Sequence, residues 1–272
     1  THAARATMAV YVGTGLALVV GSPLTAALSE LWGWRMAVAA ITVAAVVVLV
    51  AARLTLPKMM VADTAHERRQ RIGNHHNRRL LTMCGLTLIG VTGHFISYTF
   101  IVVIIRDIVG VGGPNLAWLL AAYGIAGLAA MGMLARPGDR YPKAAVVGCL
   151  AGLALVFLVL AGLGVVGSTT AAAMLTGIVA IVAWGATATA VPPMLQSAAM
   201  RHCPEDPDGA SGLYVTAFQV GIMAGSLIGG LLFEHAGEPV MLLASAALVA
   251  AALGGVLMGR NLFGAPPVTS DK

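Results

Sequence analysis

The chain has 272 residues, of which 58% are apolar and 10% are charged, and its mean hydropathy is +0.89. Soluble domains carry about 25% charged residues, so this composition excludes most soluble enzymes and binding modules and indicates an integral membrane protein. The net charge of +5 does not indicate a nucleic-acid partner, because membrane proteins are commonly basic through their cytoplasmic loops.

Long uncharged segments predict the transmembrane helices. A helix needs about 20 residues to cross the hydrocarbon core of a bilayer. Seven segments of at least 17 residues lack Asp, Glu, Lys and Arg, namely 6–29, 36–52, 80–105, 108–135, 144–200, 209–233 and 239–259. The segment 144–200 is too long for one span, and Gly164, Gly167 and the Ser and Thr residues that follow interrupt it. We therefore predict eight membrane-spanning helices and an all-α fold.

The basic residues predict the orientation of these helices. If the loops alternate between the two sides, 14 of the 16 Lys and Arg lie on the side of the amino terminus, and only Arg35 and Arg106 lie on the other. The cytoplasmic side of a membrane protein holds such an excess. We expect both termini in the cytoplasm, and the abundance of Ala, Gly, Val and Arg is typical of a GC-rich bacterial gene and suggests the bacterial inner membrane.

A basic loop divides the chain. Residues 53–79 carry seven Lys and Arg and are predicted to form a cytoplasmic linker between the first two helices, in residues 1–52, and a block of six helices in residues 80–260. Residues 261–272 then form a cytoplasmic tail.

The sequence predicts no metal site or cofactor. His66, His75 and His76 lie in the linker without a helical i, i+4 pair or a partner Cys, so we interpret them as part of a solvated loop. The three cysteines, Cys84, Cys149 and Cys203, are far apart in sequence and indicate neither a disulfide framework nor a thiolate site.

An internal repeat relates the first helix to the seventh. When the chain is shifted by 204 positions, five residues of the segment 11–33 match: Gly21, Ser22, Leu28, Glu30 and Gly33 align with Gly225, Ser226, Leu232, Glu234 and Gly237. The period is therefore six helices. Parallel six-helix repeats about an axis along the membrane normal form one large class of transporters. Eight helices correspond to one complete repeat and the last two helices of another, so we expect four further helices upstream.

Four segments carry a resemblance to a known family. They are Gly15 with Gly21, Ser22 and Pro23 in the first helix, GHFISYTF at 93–100, GMLARPGDRYPK at 132–143 and FQVGIMAGSLIGG at 218–230. Together they resemble the major facilitator superfamily, in particular its drug:proton antiporter branch with the arabinose-efflux-like and chloramphenicol-exporter-like members. In that family the predicted helices correspond to helices 5 to 12 of a 12-helix fold, and residues 1–52 to the end of the amino-terminal bundle.

The resemblance implies roles for two motifs. Gly15, Gly21 and Pro23 are similar to the antiporter motif of helix 5, although Thr25 and Ala26 stand where the family often has Gly. The segment from Gly132 to Lys143 is similar to the loop motif between helices 8 and 9, with Asp139 and Arg140 matching best. Asp139, Arg140 and Lys143 are expected to form a charged latch on a short cytoplasmic hairpin, or else merely to follow the charge topology.

Three glycines predict a close contact between helices. Gly221, Gly225 and Gly229 repeat every four residues and leave one helix face without side chains, so a neighbouring backbone can approach it. Pro23, shortly after Gly21, removes a backbone hydrogen bond and is expected to kink the first helix.

Polar residues within the predicted spans are candidate binding residues, because burying them in a membrane is costly. His94 and Tyr98 lie one helical turn apart on the same face. His94 is interpreted as a cavity-lining residue, a structural hydrogen-bonding group or a proton carrier. Gln196 and Gln219 are further polar candidates. Tyr123, Trp184 and Tyr214 are candidates for an aromatic wall, or for packing against lipid.

The resemblance implies a secondary transporter that exports small hydrophobic compounds, either drugs or sugars, in exchange for protons by alternating access. No Asp or Glu occurs within a predicted span, and in the family the proton-carrying carboxylate usually lies in the amino-terminal half. The expected partners are the substrate, protons, the lipid bilayer and the missing helices. The alternatives are a non-transporting membrane scaffold and, much less favoured because the nucleophile and metal motifs are absent, an intramembrane enzyme.

Overall fold

The computed structural model describes residues 13, 17–55, 77–167, 170–259 and 262–263. All regular secondary structure in these residues is helical. We label the helices α1 (Ser22–Trp32), α2 (Trp34–Thr55), α3 (Arg78–Tyr98), α4 (Pro114–Arg140), α5 (Pro142–Val166), α6 (Ala171–Arg201), α7 (207–236) and α8 (238–258), the last two forming the segment Pro207–Met258.

The described helices account for eight membrane spans. Six helical segments are long and apolar enough to cross a bilayer. One of them, Pro207–Met258, has 52 residues and is broken at Gly237, where φ is 79° and ψ is 174°, so it supplies two spans. The eighth is α1, whose 11 residues and the five of the π-helical turn Ala17–Gly21 form the described part of the predicted span that begins at residue 6. The prediction of an all-α membrane protein with eight spans is confirmed.

The ends of two helices differ from the predicted spans. Helix α4 continues past Pro137 to Arg140, and Tyr141 alone separates it from α5. The segment from Gly132 to Arg140 is therefore helical, and the predicted hairpin is reduced to one residue. Conversely, α3 ends at Tyr98, and the chain continues as the short helix Ile101–Ile104 and the π-helical turn Ile105–Val109. Charged residues indicate where a helix leaves the hydrocarbon core of the membrane. The helix itself can continue beyond that point or end before it.

Helix α3 is central to the six-helix block, because it packs against both α7 and α8. On the α8 side, Gly93 faces Ser245 and Leu248. The hydroxyl oxygens of Ser97 and Ser245 lie 2.7 Å apart in the fully buried contact between these two helices. Helix α6 packs against α4 and α5, and α1 rests on α4.

Hydrogen bonds join three chain segments at one end of the block. The Asn77 side chain caps α3 by accepting from the Arg79 and Leu80 amides at 3.1 and 3.2 Å. The same side chain donates to the His202 carbonyl at 3.0 Å and to Cys203 Sγ at 3.3 Å. Burial raises the pKa of the Cys203 thiol, and the bond from Asn77 opposes this only in part. Cys203 is therefore held as a thiol at neutral pH.

Basic residues concentrate at this same end. Of the nine described Lys and Arg, only Arg35 and Arg106 lie at the opposite end; the others are Arg53, Arg78, Arg79, Arg136, Arg140, Lys143 and Arg201. Most of the predicted linker and tail, including the three linker histidines, lies outside the described residues.

Candidate functional site

A cavity of about 380 Å³ lies inside the six-helix block. Its walls come from α3, α4, α5, α6, α7 and α8, and they are almost entirely apolar. The polar or aromatic lining residues are Thr87, His94, Phe95, Tyr98, Tyr123, Thr189, Gln196, Tyr214 and Phe218. Pro192 and Pro193, within α6, also line it. A volume of this size falls in the range of about 300–1,000 Å³ that is typical of sites for drug-sized ligands.

His94 occupies a defined position in the wall. Its Nδ1 accepts a hydrogen bond of 3.1 Å from the indole Nε1 of Trp184 on α6. Its ring stacks on that of Tyr98, one turn along α3, with centroids 5.1 Å apart and an interplanar angle of 25°. His94 is therefore held between two helices.

Further aromatic side chains pack against His94 and Tyr98. Trp184 is fully buried and meets Phe157 edge to face at 4.9 Å between centroids. Tyr123 on α4 is also buried, with its ring 6.1 Å from Trp184 and 5.8 Å from Tyr98. Such offset and edge-to-face pairs are the favoured aromatic geometries, so the rings form a continuous aromatic wall.

Helices α6 and α7 are joined by two polar contacts at the cavity. Gln196 Nε2 donates to the Ser211 hydroxyl at 2.7 Å. The Tyr214 hydroxyl donates to the Pro192 carbonyl at 2.9 Å. Both contacts fix side chains that line the cavity.

A second cavity of about 600 Å³ lies between α1 and the six-helix block. Its lining includes Thr25, Ser29 and Glu30 from α1 and Arg106 from the π-helical turn Ile105–Val109. Tyr98 and Tyr123 line both cavities, so their two rings form the partition between them. At the end of α1, Arg106 forms an ion pair with Glu30 at 3.8 Å.

Lys143, in the first turn of α5, contacts the end of α8. Lys143 Nζ donates to the carbonyls of Leu257 at 3.0 Å and Gly259 at 3.4 Å. A cation is favourable there, because the carbonyls at a helix carboxyl end carry partial negative charge. The Arg140 guanidinium lies over the Tyr141 ring at 5.4 Å. Gly132 is exposed in α4, and Asp139 belongs to the last turn of that helix.

The glycines of α7 allow α3 to approach closely. A Cβ atom at Gly221 would lie 2.9 Å from Val91 Cβ, and one at Gly225 would lie 2.6 Å from the Thr92 carbonyl oxygen. At Gly229 it would overlap the carbonyl of Ile96. In α1, Gly21 ends the π-helical turn and Pro23 lies in the first turn of the following α-helix, so the change of helix type falls at this pair. Gly15 lies outside the described residues.

Four of the five predicted binding residues come together in the first cavity: His94, Tyr98, Tyr123 and Gln196. The fifth, Gln219, is exposed and does not line that cavity, because α7 turns it away from the face that carries Tyr214 and Phe218. Trp184 lies behind the wall, where it contacts His94. The sequence analysis missed Thr87, although its spacing of seven residues from His94 places both on one face of α3.

The fold and cavity define a class: a polytopic α-helical membrane protein with an apolar internal site, built from a six-helix block and a helix pair that repeats part of it. A family model described as Major Facilitator Superfamily matches residues 1–209 and 82–272. The chain belongs to this superfamily, which confirms the resemblance found in its sequence.

Individual relatives show the same relationship. The chain is 57% identical over 270 residues to a chloramphenicol efflux pump of Mycobacterium tuberculosis, a match that covers 99% of this chain and 65% of that protein. It is 32% identical over 265 residues to the transcription regulatory protein OpdE of Pseudomonas aeruginosa, covering 94% and 63%. It is 28% identical over 246 residues to a probable sugar efflux transporter of Mannheimia succiniciproducens, covering 90% and 58%. The chain thus spans less than two thirds of the length of each.

Proposed function

We propose that the chain forms the substrate-binding part of a proton-coupled exporter of small, uncharged, hydrophobic molecules, with chloramphenicol as the first candidate. The observation that carries the proposal is the apolar and aromatic cavity around His94 and Tyr98 in a member of the major facilitator superfamily. The 57% identity to a chloramphenicol efflux pump supports the choice of substrate. The role is transport and not catalysis.

The two cavities and their partition support a proposed mechanism of alternating access. Tyr98 and Tyr123 separate the cavity within the block from the cavity beside α1. We propose that a substrate enters the first cavity from the cytoplasm and leaves through the second after these rings move apart. The ion pair between Glu30 and Arg106 holds α1 against the block at the exit in the conformation described here.

The working transporter is proposed to contain four helices beyond those of this chain. The repeat of 204 residues gives a period of six helices, of which α1 and α2 are the last two of one copy. The greater length of the relatives also supports this arrangement. In it, residues 1–52 complete an amino-terminal bundle, residues 53–79 link the bundles, residues 80–260 form the second bundle, and the proton-carrying carboxylate belongs to the further helices.

We propose that the protein lies in the bacterial inner membrane with both termini in the cytoplasm. Seven of the nine described basic residues lie at the end of the block that contains Asn77 and Lys143. The positive-inside rule assigns that end to the cytoplasm. Glu30 and Arg106 then face the outside.

Expression of the complete gene product in an efflux-deficient bacterium tests the proposal. Cells should accumulate less radiolabelled chloramphenicol than vector controls, and a protonophore should abolish the difference. The intact mass of the protein from its native membrane should exceed 27.7 kDa by about 13 kDa, at about 30 residues per span with its loop. Unchanged accumulation together with a mass of 27.7 kDa would favour the non-transporting scaffold.

A further inference from the structure

The hydrogen bond from Trp184 determines which His94 nitrogen faces the cavity as a donor. His94 Nδ1 accepts from the indole N–H at 3.1 Å, and a ring nitrogen that accepts carries no hydrogen of its own. The imidazole is therefore neutral, with its hydrogen on Nε2. Among the described residues, none takes a hydrogen bond from Nε2, so His94 offers the cavity one N–H donor.

The position of Trp184 makes this tautomer a fixed feature of the site. The indole is fully buried, and the rings of Phe157 and Tyr123 meet it edge to face at 4.9 and 6.1 Å. Tyr98 stacks on the His94 ring at 5.1 Å and also meets the Trp184 ring edge to face at 6.3 Å. Neither ring can turn without disturbing several aromatic contacts.

Thr87 supplies a second polar group to the same cavity. It precedes His94 by seven residues, two helical turns or about 10 Å along α3. Thr87 lines the cavity, and its buried hydroxyl has no hydrogen-bond partner among the described residues. In contrast, the hydroxyls of Thr82 and Thr187 bond carbonyls of their own helices at 2.8 Å. A buried hydroxyl without a hydrogen-bond partner costs about 1–3 kcal/mol of stability. A ligand that supplies the partner removes this cost and therefore binds more tightly.

The described lining residues of the cavity offer no compensating charge for an ionised ligand. No Asp, Glu, Lys or Arg is among its described lining residues. Transfer of an isolated charge from water into such surroundings is strongly unfavourable. The cavity therefore discriminates against ions.

We propose that this cavity recognises an uncharged molecule with an aromatic or apolar body and two polar groups about 10 Å apart. One group accepts the hydrogen bond from His94 Nε2, and the other pairs with the Thr87 hydroxyl. Trp184 is a positioning residue that acts through the His94 tautomer. The inference rests on the proposed function for the identity of the ligand as cargo, whereas binding itself can be measured without transport.

Binding to the purified full chain in detergent micelles tests the proposal, with chloramphenicol as the probe and isothermal titration calorimetry as the measurement. His94→Leu and Thr87→Val should each weaken binding about tenfold, the cost of one lost hydrogen bond. Thr187→Val is the matched control and should bind as the wild type does, because the Thr187 hydroxyl bonds the Ala183 carbonyl. Equal binding by Thr87→Val and wild type would overturn the role of Thr87.

The role of His94 as a donor has its own tests. His94→Gln retains an N–H donor and should recover most of the affinity lost in His94→Leu. In Trp184→Phe, ¹⁵N NMR should show that the hydrogen of the His94 ring is shared between Nδ1 and Nε2, whereas the wild type shows it on Nε2. A wild-type spectrum in Trp184→Phe would overturn the positioning role.

A charged probe tests the exclusion of ions. Tetraphenylphosphonium, which is aromatic but permanently cationic, should bind at least tenfold more weakly than chloramphenicol. Equal or tighter binding of the cation, or no binding of chloramphenicol by the wild-type chain, would overturn the inference. Intact binding without export from cells would instead overturn only the proposed transport function.

Discussion

Gly33 and Gly237, which lie 204 positions apart, adopt the same rare backbone conformation. Gly33 has φ 83° and ψ 159°, and Gly237 has φ 79° and ψ 174°. Each is a single residue between two membrane-spanning helices, α1 and α2 in the first case and α7 and α8 in the second. An acidic residue, Glu30 or Glu234, precedes each glycine by three positions. The repeat in the sequence is therefore also a repeat of a helix–glycine–helix corner.

Replacement of either corner glycine by alanine should destabilise the protein. A positive φ combined with an extended ψ is open almost exclusively to glycine and costs other residues about 1–3 kcal/mol. Gly33→Ala and Gly237→Ala should each lower the free energy of unfolding, measured in mixed dodecylmaltoside and SDS micelles, by about this amount. Gly148→Ala is the control: Gly148 is an exposed glycine within α5, with no atom within 4 Å of an added Cβ. A loss in Gly148→Ala as large as at the corners would contradict the argument.

The spans and the repeat could be predicted from the sequence, whereas the exact helix ends could not. Seven uncharged segments, one of them divided at its Gly, Ser and Thr residues, predicted the eight spans, because crossing a bilayer imposes a length and a composition on each helix. The shared Glu and Gly residues at the ends of two spans located the repeat. Helix ends were predicted less well, since Pro137 is accommodated within α4 and the chain after Tyr98 changes to other helix types. The ends of these helices depend on local packing, which the positions of charged residues do not predict.

The glycines of α7 predict that alanine has very different effects on stability at two adjacent positions. A Cβ at Gly229 would overlap the Ile96 carbonyl, whereas at Gly230 the nearest atom, Phe100 Cζ, is 4.0 Å away. Gly229→Ala should force α7 and α3 apart and cost about 1–3 kcal/mol of stability. Gly230→Ala should be neutral or stabilising by up to about 1 kcal/mol through helix propensity. Thermal unfolding of the two purified variants measures the difference, and similar melting temperatures would refute the close contact.

The contact between Ser97 and Ser245 predicts a non-additive pair of mutations. Their hydroxyl oxygens are 2.7 Å apart and fully buried between α3 and α8. Ser97→Ala or Ser245→Ala alone leaves one hydroxyl without a partner and should cost about 1 kcal/mol. The double variant removes both groups and should cost less than the sum of the two single variants. Unfolding of all four proteins in SDS titrations completes the cycle, and strict additivity would show that the hydroxyls do not interact.

The site could be predicted in part. His94, Tyr98, Tyr123 and Gln196 were identified because polar and aromatic residues within spans are few, and all four line one cavity. The bond from Trp184 to His94 joins residues 90 positions apart, and the packing of α6 against α3 creates it. Sequence periodicity within one helix does not reveal such a contact. Thr87 was missed because threonines in membrane helices usually bond their own backbone, as Thr187 does.

The contact of Lys143 with the end of α8 predicts an effect on transport rate. Lys143→Met removes the bonds to the Leu257 and Gly259 carbonyls, and Asp139→Asn removes the acidic member of the latch motif. In the complete gene product, both variants should slow chloramphenicol export while the amount of inserted protein stays at the wild-type level. Lys143→Arg keeps the cation and should recover much of the rate; Arg136→Met is a control at the same end of the block. Wild-type export by both Lys143→Met and Asp139→Asn would refute the latch.

The ion pair between Arg106 and Glu30 predicts how the outer cavity opens. Their side chains are 52% and 38% exposed, so the attraction contributes at most about 1 kcal/mol to closure. Glu30→Arg replaces it by repulsion and should raise the open population about fivefold or more, since about 1.4 kcal/mol changes an equilibrium tenfold. The readout is labelling of a Ser29→Cys variant, within this cavity, by a membrane-impermeant maleimide. The three native cysteines are buried and give little background. The exchanged pair Glu30→Arg with Arg106→Glu should restore slow labelling. Equal labelling rates in all these proteins would mean that the ion pair does not control the exit.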